Sequence, residues 1–93
     1  MTKEEFKNRV LDWAEKIGVS PKEIHIRKMD KKWGSCSSKG RLTFDEELLE
    51  KEEKFIDYVI VHELLHIKYK NHGKMFKLML EIYLNGSYGD GLL

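Results

Sequence analysis

One segment of this chain has residue types and spacing suited to chemistry: His62-Glu63-Leu64-Leu65-His66, with a third histidine at position 72. On a helix of about 3.6 residues per turn, positions i and i+4 share one face, one turn apart. The imidazoles of His62 and His66 can then reach a single cation. In this helical H-E-x-x-H pattern the two histidines bind zinc and the glutamate, here Glu63, acts as general base. Val59-Ile60-Val61 and Leu64-Leu65 flank the motif, so the helix is expected to be buried over much of its surface. An unpartnered carboxylate there would cost on the order of several kcal/mol. A divalent cation favours neutral imidazoles and an ionised Glu63 nearby, which relieves that cost. The alternative is a structural helix whose polar residues face solvent.

The third histidine tests the geometry. On an unbroken helix His72 would lie about 9 Å along the axis from His66 and far around the cylinder. Zinc–nitrogen bonds are about 2 Å long, so the helix must end before position 72. Asn71 and Gly73 are residues that accept left-handed backbone angles, and the expected turn is placed there. Three histidines with one open position is the catalytic zinc arrangement, whereas structural sites are closed by four protein ligands. Glu81 is the competitor for third ligand, as the only charged residue of Leu78–Leu84. Its other readings are an exposed or salt-bridged side chain, or an acceptor for a ligand N–H. Cys36 is read as a small buried strand residue, and His25, on a strand, needs no special role.

The elements that must position these groups follow from periodicity. Thr2 and Glu5 form a capping box, and Phe6, Val10, Trp13 and Ile17 repeat at helical spacing up to Gly18. Ile24–Met29 alternates apolar and polar, a second short strand fits Trp33–Ser37, and Ser38-Lys39-Gly40 turns the chain into a third, Arg41–Phe44. These predict a small antiparallel sheet. Asp45 is placed as N-cap of a short helix to about Glu50. Phe55, Ile56, Val59, Ile60, Leu64 and Ile67 line one side of a helix from Lys54 to about Lys70, and a last helix spans Lys74 to about Leu84. The fold class is α+β, with residues 1–93 as one domain and a loose glycine-bearing tail over 85–93.

Composition sets the remaining bounds. Formal net charge is +1, so no global argument for nucleic-acid binding exists. The charges are segregated: six Lys/Arg against Asp30 between His25 and Arg41, then seven acids against Lys51 and Lys54 between Asp45 and Asp57. Solvated faces of a hairpin and a linker are the simple reading of both runs. The single Cys36 excludes an internal disulfide, and the charged start Met1-Thr2-Lys3-Glu4-Glu5 has no apolar signal region. No apolar stretch approaches membrane-spanning length. The expected location is the cytoplasm.

Beyond the histidines, Trp33-Gly34-Ser35-Cys36, Ile56–His66, Asn71-His72-Gly73 and Phe76 together resemble the YgjP-like metallopeptidase family. They are also similar to the WLM and SprT-like zinc proteases. The likeness covers roughly residues 5 to 84. It implies a compact zincin fold of a helix, a small antiparallel sheet, the active-site helix and a supporting helix. It also implies zinc on His62, His66 and His72, with Glu63 in catalysis. The leading expectation is a zinc-dependent peptidase acting on a peptide or protein, with a strand such as Trp33–Ser37 offering its edge to an extended substrate. Tyr83, Tyr88 and Arg27 are the candidates for an oxyanion donor. Two alternatives remain open. One is a metal-dependent nucleotide pyrophosphatase or phosphoester hydrolase, motivated by the basic 25–41 segment and Lys68, Lys70, Lys74 and Lys77. The other is a non-catalytic zinc module binding DNA or protein. Oligomeric state is not legible in the sequence.

Overall fold

A computed structural model describes residues 1–86, in which α1 (Lys3–Ile17) leads into β1 (Glu23–Arg27), β2 (Gly34–Cys36) and β3 (Arg41–Asp45). A 3₁₀ turn over Glu46–Glu50 then precedes α2 (Glu53–Lys68) and α3 (Lys74–Gly86). The α+β class expected from the pattern is what forms. The capping box closes α1 at its start: the Glu5 N–H donates to Thr2 Oγ1 at 3.0 Å, and the Thr2 N–H donates to Glu5 Oε1 at 2.8 Å. Gly18 ends the helix with φ +84°, a left-handed conformation that glycine adopts without steric cost. The expected tail is displaced: α3 continues to Gly86, and the rest of the tail, 87–93, lies outside the described residues. No described helix is long and apolar enough to cross a membrane.

The sheet departs from the antiparallel expectation. Its order is β1-β3-β2, with β2 antiparallel to β3 and β1 parallel to it. The β2–β3 hairpin follows the Ser38-Lys39-Gly40 turn as the sequence indicates, with the Gly40 N–H bonded to the Ser37 carbonyl at 3.0 Å. β1 joins the far edge of β3, which makes β3 the central strand, hydrogen-bonded along both edges. Leu42, Thr43, Phe44 and Asp45 are all buried, whereas β1 alternates exposed and half-buried. The link between β1 and β2 therefore passes over the end of β3. Asp45 fastens that crossing: its Oδ1 accepts from the Met29 N–H at 3.1 Å, and its own N–H donates to the Trp33 carbonyl at 3.0 Å. This use of the carboxylate is why Asp45 occupies the N-cap position of the 3₁₀ turn without a side-chain cap bond.

The core lies between α1, the sheet and α2. Phe6 meets Phe44 edge-on with centroids 5.0 Å apart, and Val10, Leu42, Leu48, Ile60 and Leu64 fill the rest without solvent exposure. One polar clasp ties α1 to α2. Arg9 grips Asp57 with two bonds of 2.7 and 2.9 Å, and the Trp13 indole N–H donates to the same carboxylate at 2.8 Å. Arg9 also reaches Glu53, which is largely exposed. The Asp57 carboxylate, first among the causes, raises the Arg9 pKa above its usual value. Asp57→Ala leaves a half-buried guanidinium and an indole N–H without their acceptor, so a loss of about 2 kcal/mol is expected. Glu53→Ala should cost less than about 0.5 kcal/mol. Denaturant unfolding of both variants checks the contrast.

Candidate active site

α2 carries the motif and holds it at a fixed depth. Glu63 is buried with only 6 % exposure, while His62 and His66 are half-buried on the same side of the helix. The helix ends at Lys68, two residues sooner than the periodicity suggests, and Tyr69 is extended, with φ −124° and ψ 108°. The chain bends over Lys70 and Asn71, where the turn is expected, but neither Asn71 nor Gly73 has a positive φ, so the bend is made without a left-handed residue. An extended Tyr69 begins the redirection. It also aims its own carbonyl at His66, whose Nδ1 lies 3.2 Å away. His72 comes back over the helix on this link, and α3 begins at once, with the Lys77 N–H bonded to the Gly73 carbonyl.

The three imidazoles converge. Each of His62, His66 and His72 offers one ring nitrogen within 4.8 Å of the others. The His66 and His72 Nε2 atoms are 2.9 Å apart. At that distance one nitrogen donates a hydrogen bond to the other. Two nitrogens sharing one tetrahedral zinc at about 2.05 Å each would sit about 3.3 Å apart, so a small opening of the pair, with loss of that proton, would admit the ion. The tautomers of His66 and His62 fit. A carbonyl can only accept, so His66 Nδ1 donates to Tyr69 and its Nε2 keeps a lone pair. His62 Nδ1, 3.0 Å from Glu63 Oε2, is set in the same way by a carboxylate acceptor. The His72 pKa is lowered, by lost hydration first and then by the neighbouring His66 and His62, which favours the neutral ligand form. These donors fit a borderline divalent cation such as zinc.

Phe76 organises the cluster from below. It is 2 % exposed, and its ring lies 5.2, 4.7 and 4.7 Å from those of His62, His66 and His72. Its position, four residues after His72 in the first turn of α3, is the one signal in the sequence that marks it. Glu81, the rival third ligand, is exposed on α3 and outside the cluster. His25 pairs instead with Glu23 at 2.8 Å. That contact and then Arg41 hold the Glu23 carboxyl below its ordinary pKa.

Facing α2 across a cleft of about 630 Å³ is β2 with the turn that follows it. Gly34, Ser35, Cys36, Ser37 and Ser38 line one wall, and His62, Glu63, His66, Ile67, Lys70 and His72 the other. Trp33 anchors this wall, its ring edge-on to Phe55 at 5.3 Å. Gly34 is glycine for a reason that no local pattern reveals. A Cβ there would stand 3.0 Å from Glu63 Cγ and 3.2 Å from both Phe44 Cδ1 and Val59 Cγ1. Hydrogen bonds from the Asp45 N–H to the Trp33 carbonyl and from the Ser37 N–H to the Arg41 carbonyl fix the ladder phase. Trp33, Ser35 and Ser37 therefore point their backbone groups at β3, and Gly34 and Cys36 point theirs at the free edge. Cys36 lines the cleft, but burial and then the charge of Glu63 raise its thiol pKa, which keeps it protonated. Of the suggested oxyanion donors, Arg27 and Tyr83 are not among the cleft-lining residues, and Tyr88 lies outside the described residues.

The match to the family described as YgjP-like, metallopeptidase domain, extends over residues 1–87. The chain belongs to the YgjP-like metallopeptidase family. Among solved structures it is similar to the metallopeptidase zymogen jannalysin of Methanocaldococcus jannaschii, at 30% identity and TM-score 0.76. That likeness covers 89% of this chain and 79% of the other. It is also similar to the metallopeptidase zymogen abylysin of Pyrococcus abyssi, at 25% identity and TM-score 0.73, over 82% of this chain and 76% of that one. No curated protein matches. The chain is thus a metal-dependent peptidase, with the zincin-like fold of these neighbours.

The close approach at Gly34 generates a test. Phe44 and Val59 are core residues that cannot yield, so a methyl group at position 34 displaces the Glu63 side chain. Gly34→Ala is expected to lose about 1 kcal/mol of stability and about tenfold in kcat, with metal content unchanged. Thermal unfolding, elemental analysis and peptide turnover read the three quantities separately.

Proposed function

We propose that this YgjP-like peptidase hydrolyses peptide bonds with zinc held by His62, His66 and His72, and with Glu63 as general base. The observation that carries the reading is the convergence of three imidazole nitrogens beside one buried carboxylate, at the floor of a cleft. Bound zinc would supply Lewis acidity, lowering the pKa of water toward about 7 and polarising a scissile carbonyl. Glu63 accepts the proton of the attacking water at its carboxylate and returns it to the leaving amine. Burial limits the rotamers of that side chain, and the contact with Gly34 fixes its direction. His66 is held in its ligand tautomer by the Tyr69 carbonyl, and Phe76 keeps the rings from tilting away. The extended substrate adds to the free edge of β2, where Gly34 and Cys36 present N–H and C=O groups for an incoming strand.

Glu63→Gln is expected to abolish turnover, by about 1,000-fold or more, while zinc content stays at one per chain. His72→Ala should lose most of its zinc and its activity together, and Glu81→Gln should keep both. Elemental analysis paired with hydrolysis of a casein-type peptide gives the comparison. Zinc retained in His72→Ala and lost in Glu81→Gln would move the third ligand to Glu81. A chelator should silence the wild type, and added zinc should restore it.

A further inference from the structure

The basic run of the sequence has no part in the chemistry above, yet the structure places four of its cations beside the cleft. A second groove of about 430 Å³ is lined by Arg27, Lys28, Lys31 and Lys32, with Asp30 as its one acid. The two depressions share Lys32 and Ser35. They therefore adjoin at the start of β2, the second lying along the β1–β2 link. Lys70, on the link after α2, lines the cleft itself. None of these five cations forms an ion pair among the described residues. The nearest acids on the other flank of the link are Asp45, which is buried against the Met29 N–H, and Glu47.

A row of lysines on a connecting loop is most simply a solvated surface. Two features set this one apart. It adjoins the catalytic cleft, where low-dielectric walls focus the field of fixed charges. It also begins where the open edge of β2 begins. That edge offers alternating N–H and C=O groups, which an extended polypeptide matches and a nucleic acid does not. Antiparallel pairing is the more stable choice for an added strand. A substrate running opposite to Gly34→Cys36 sends its C-terminal half past Lys32 and into the basic groove.

We infer that the enzyme selects peptides with acidic side chains on the C-terminal side of the cleaved bond, held by Lys32, Lys31 and Lys28. The inference rests on the peptidase reading above and names its substrate class.

The test uses one peptide core with Glu-Glu, Gln-Gln or Lys-Lys on the C-terminal side of the cleaved bond, and a mirrored set altered on the N-terminal side. Binding is read by fluorescence anisotropy on zinc-loaded Glu63→Gln protein, and cleavage on the wild type. The C-terminal Glu-Glu peptide is expected to bind and be cleaved about tenfold better than the Gln-Gln form, and the Lys-Lys form worse than either. The ranking should collapse in about 0.5 M salt. The double variant Lys31→Glu with Lys32→Glu should reverse it, whereas Lys7→Glu on α1 should leave it intact. Equal binding of acidic and neutral peptides, or a preference confined to the N-terminal side, would overturn the inference. So would a DNA oligonucleotide that binds more tightly than the acidic peptide and displaces it. Charge-ranked binding with no cleavage of any peptide would sink the peptidase reading and leave the docking surface standing; cleavage without charge ranking would do the opposite.

Discussion

The spacing between the sheet and the motif helix depends on a missing side chain. Because position 34 carries only hydrogen, β2 settles against α2 at Glu63 closely enough to bury the carboxylate stem, yet leaves the cleft open beyond it. Interiors pack at crystal-like density, so a shift of a few tenths of an ångström at this contact would be felt through Phe44 and Val59 into the core. The other side of the site depends on a complementary device. Phe76 packs against all three imidazoles, adding an apolar support to the hydrogen bonds they make with Glu63, Tyr69 and each other. The polar constellation is thus clamped between a backbone that comes unusually near and an aromatic ring that cannot leave.

What could be read from the residues alone follows a physical division. The H-E-x-x-H helix was legible because apolar periodicity and the i, i+4 relation are local, and both fix which face is buried. The need for His72 to return was legible too, since helix geometry forbids the alternative. Its route was not. Asn71 does lie in the bend, but without the left-handed angle it accepts; an extended Tyr69 begins the reversal, and its carbonyl gains a partner in His66. Sheet pairing was misjudged for a similar reason. The alternation in β1 identifies a strand without identifying its neighbour, and a parallel partner 18 residues on is a non-local relation that no periodicity encodes. Gly34 belongs with these, because its reason lies in close approaches to Phe44, Val59 and Glu63 that no window of sequence contains.

The role of Asp45 shows how one residue type can be read correctly by position and wrongly by use. It stands where an N-cap stands, but its oxygen is taken by the Met29 N–H, which sits on the link that must cross β3. A short 3₁₀ turn can forgo a side-chain cap more readily than a buried crossing can forgo an acceptor. The same economy of partners appears at Asp57, where one carboxylate serves a guanidinium and an indole at once.

The strand order β1-β3-β2 carries a consequence for how the chain reaches its native state. The β2–β3 hairpin closes over a turn of four residues, whereas β1 meets β3 in a register that joins Glu23 to Arg41. Loop-closure entropy rises with the length of chain enclosed, so the hairpin can zip first and present β3 as a template to which β1 adds later. The wall that faces the motif helix is thereby built from the most local pairing in the molecule. The strand added last is the one farthest from the histidines, so errors in its docking arise where they disturb the catalytic wall least.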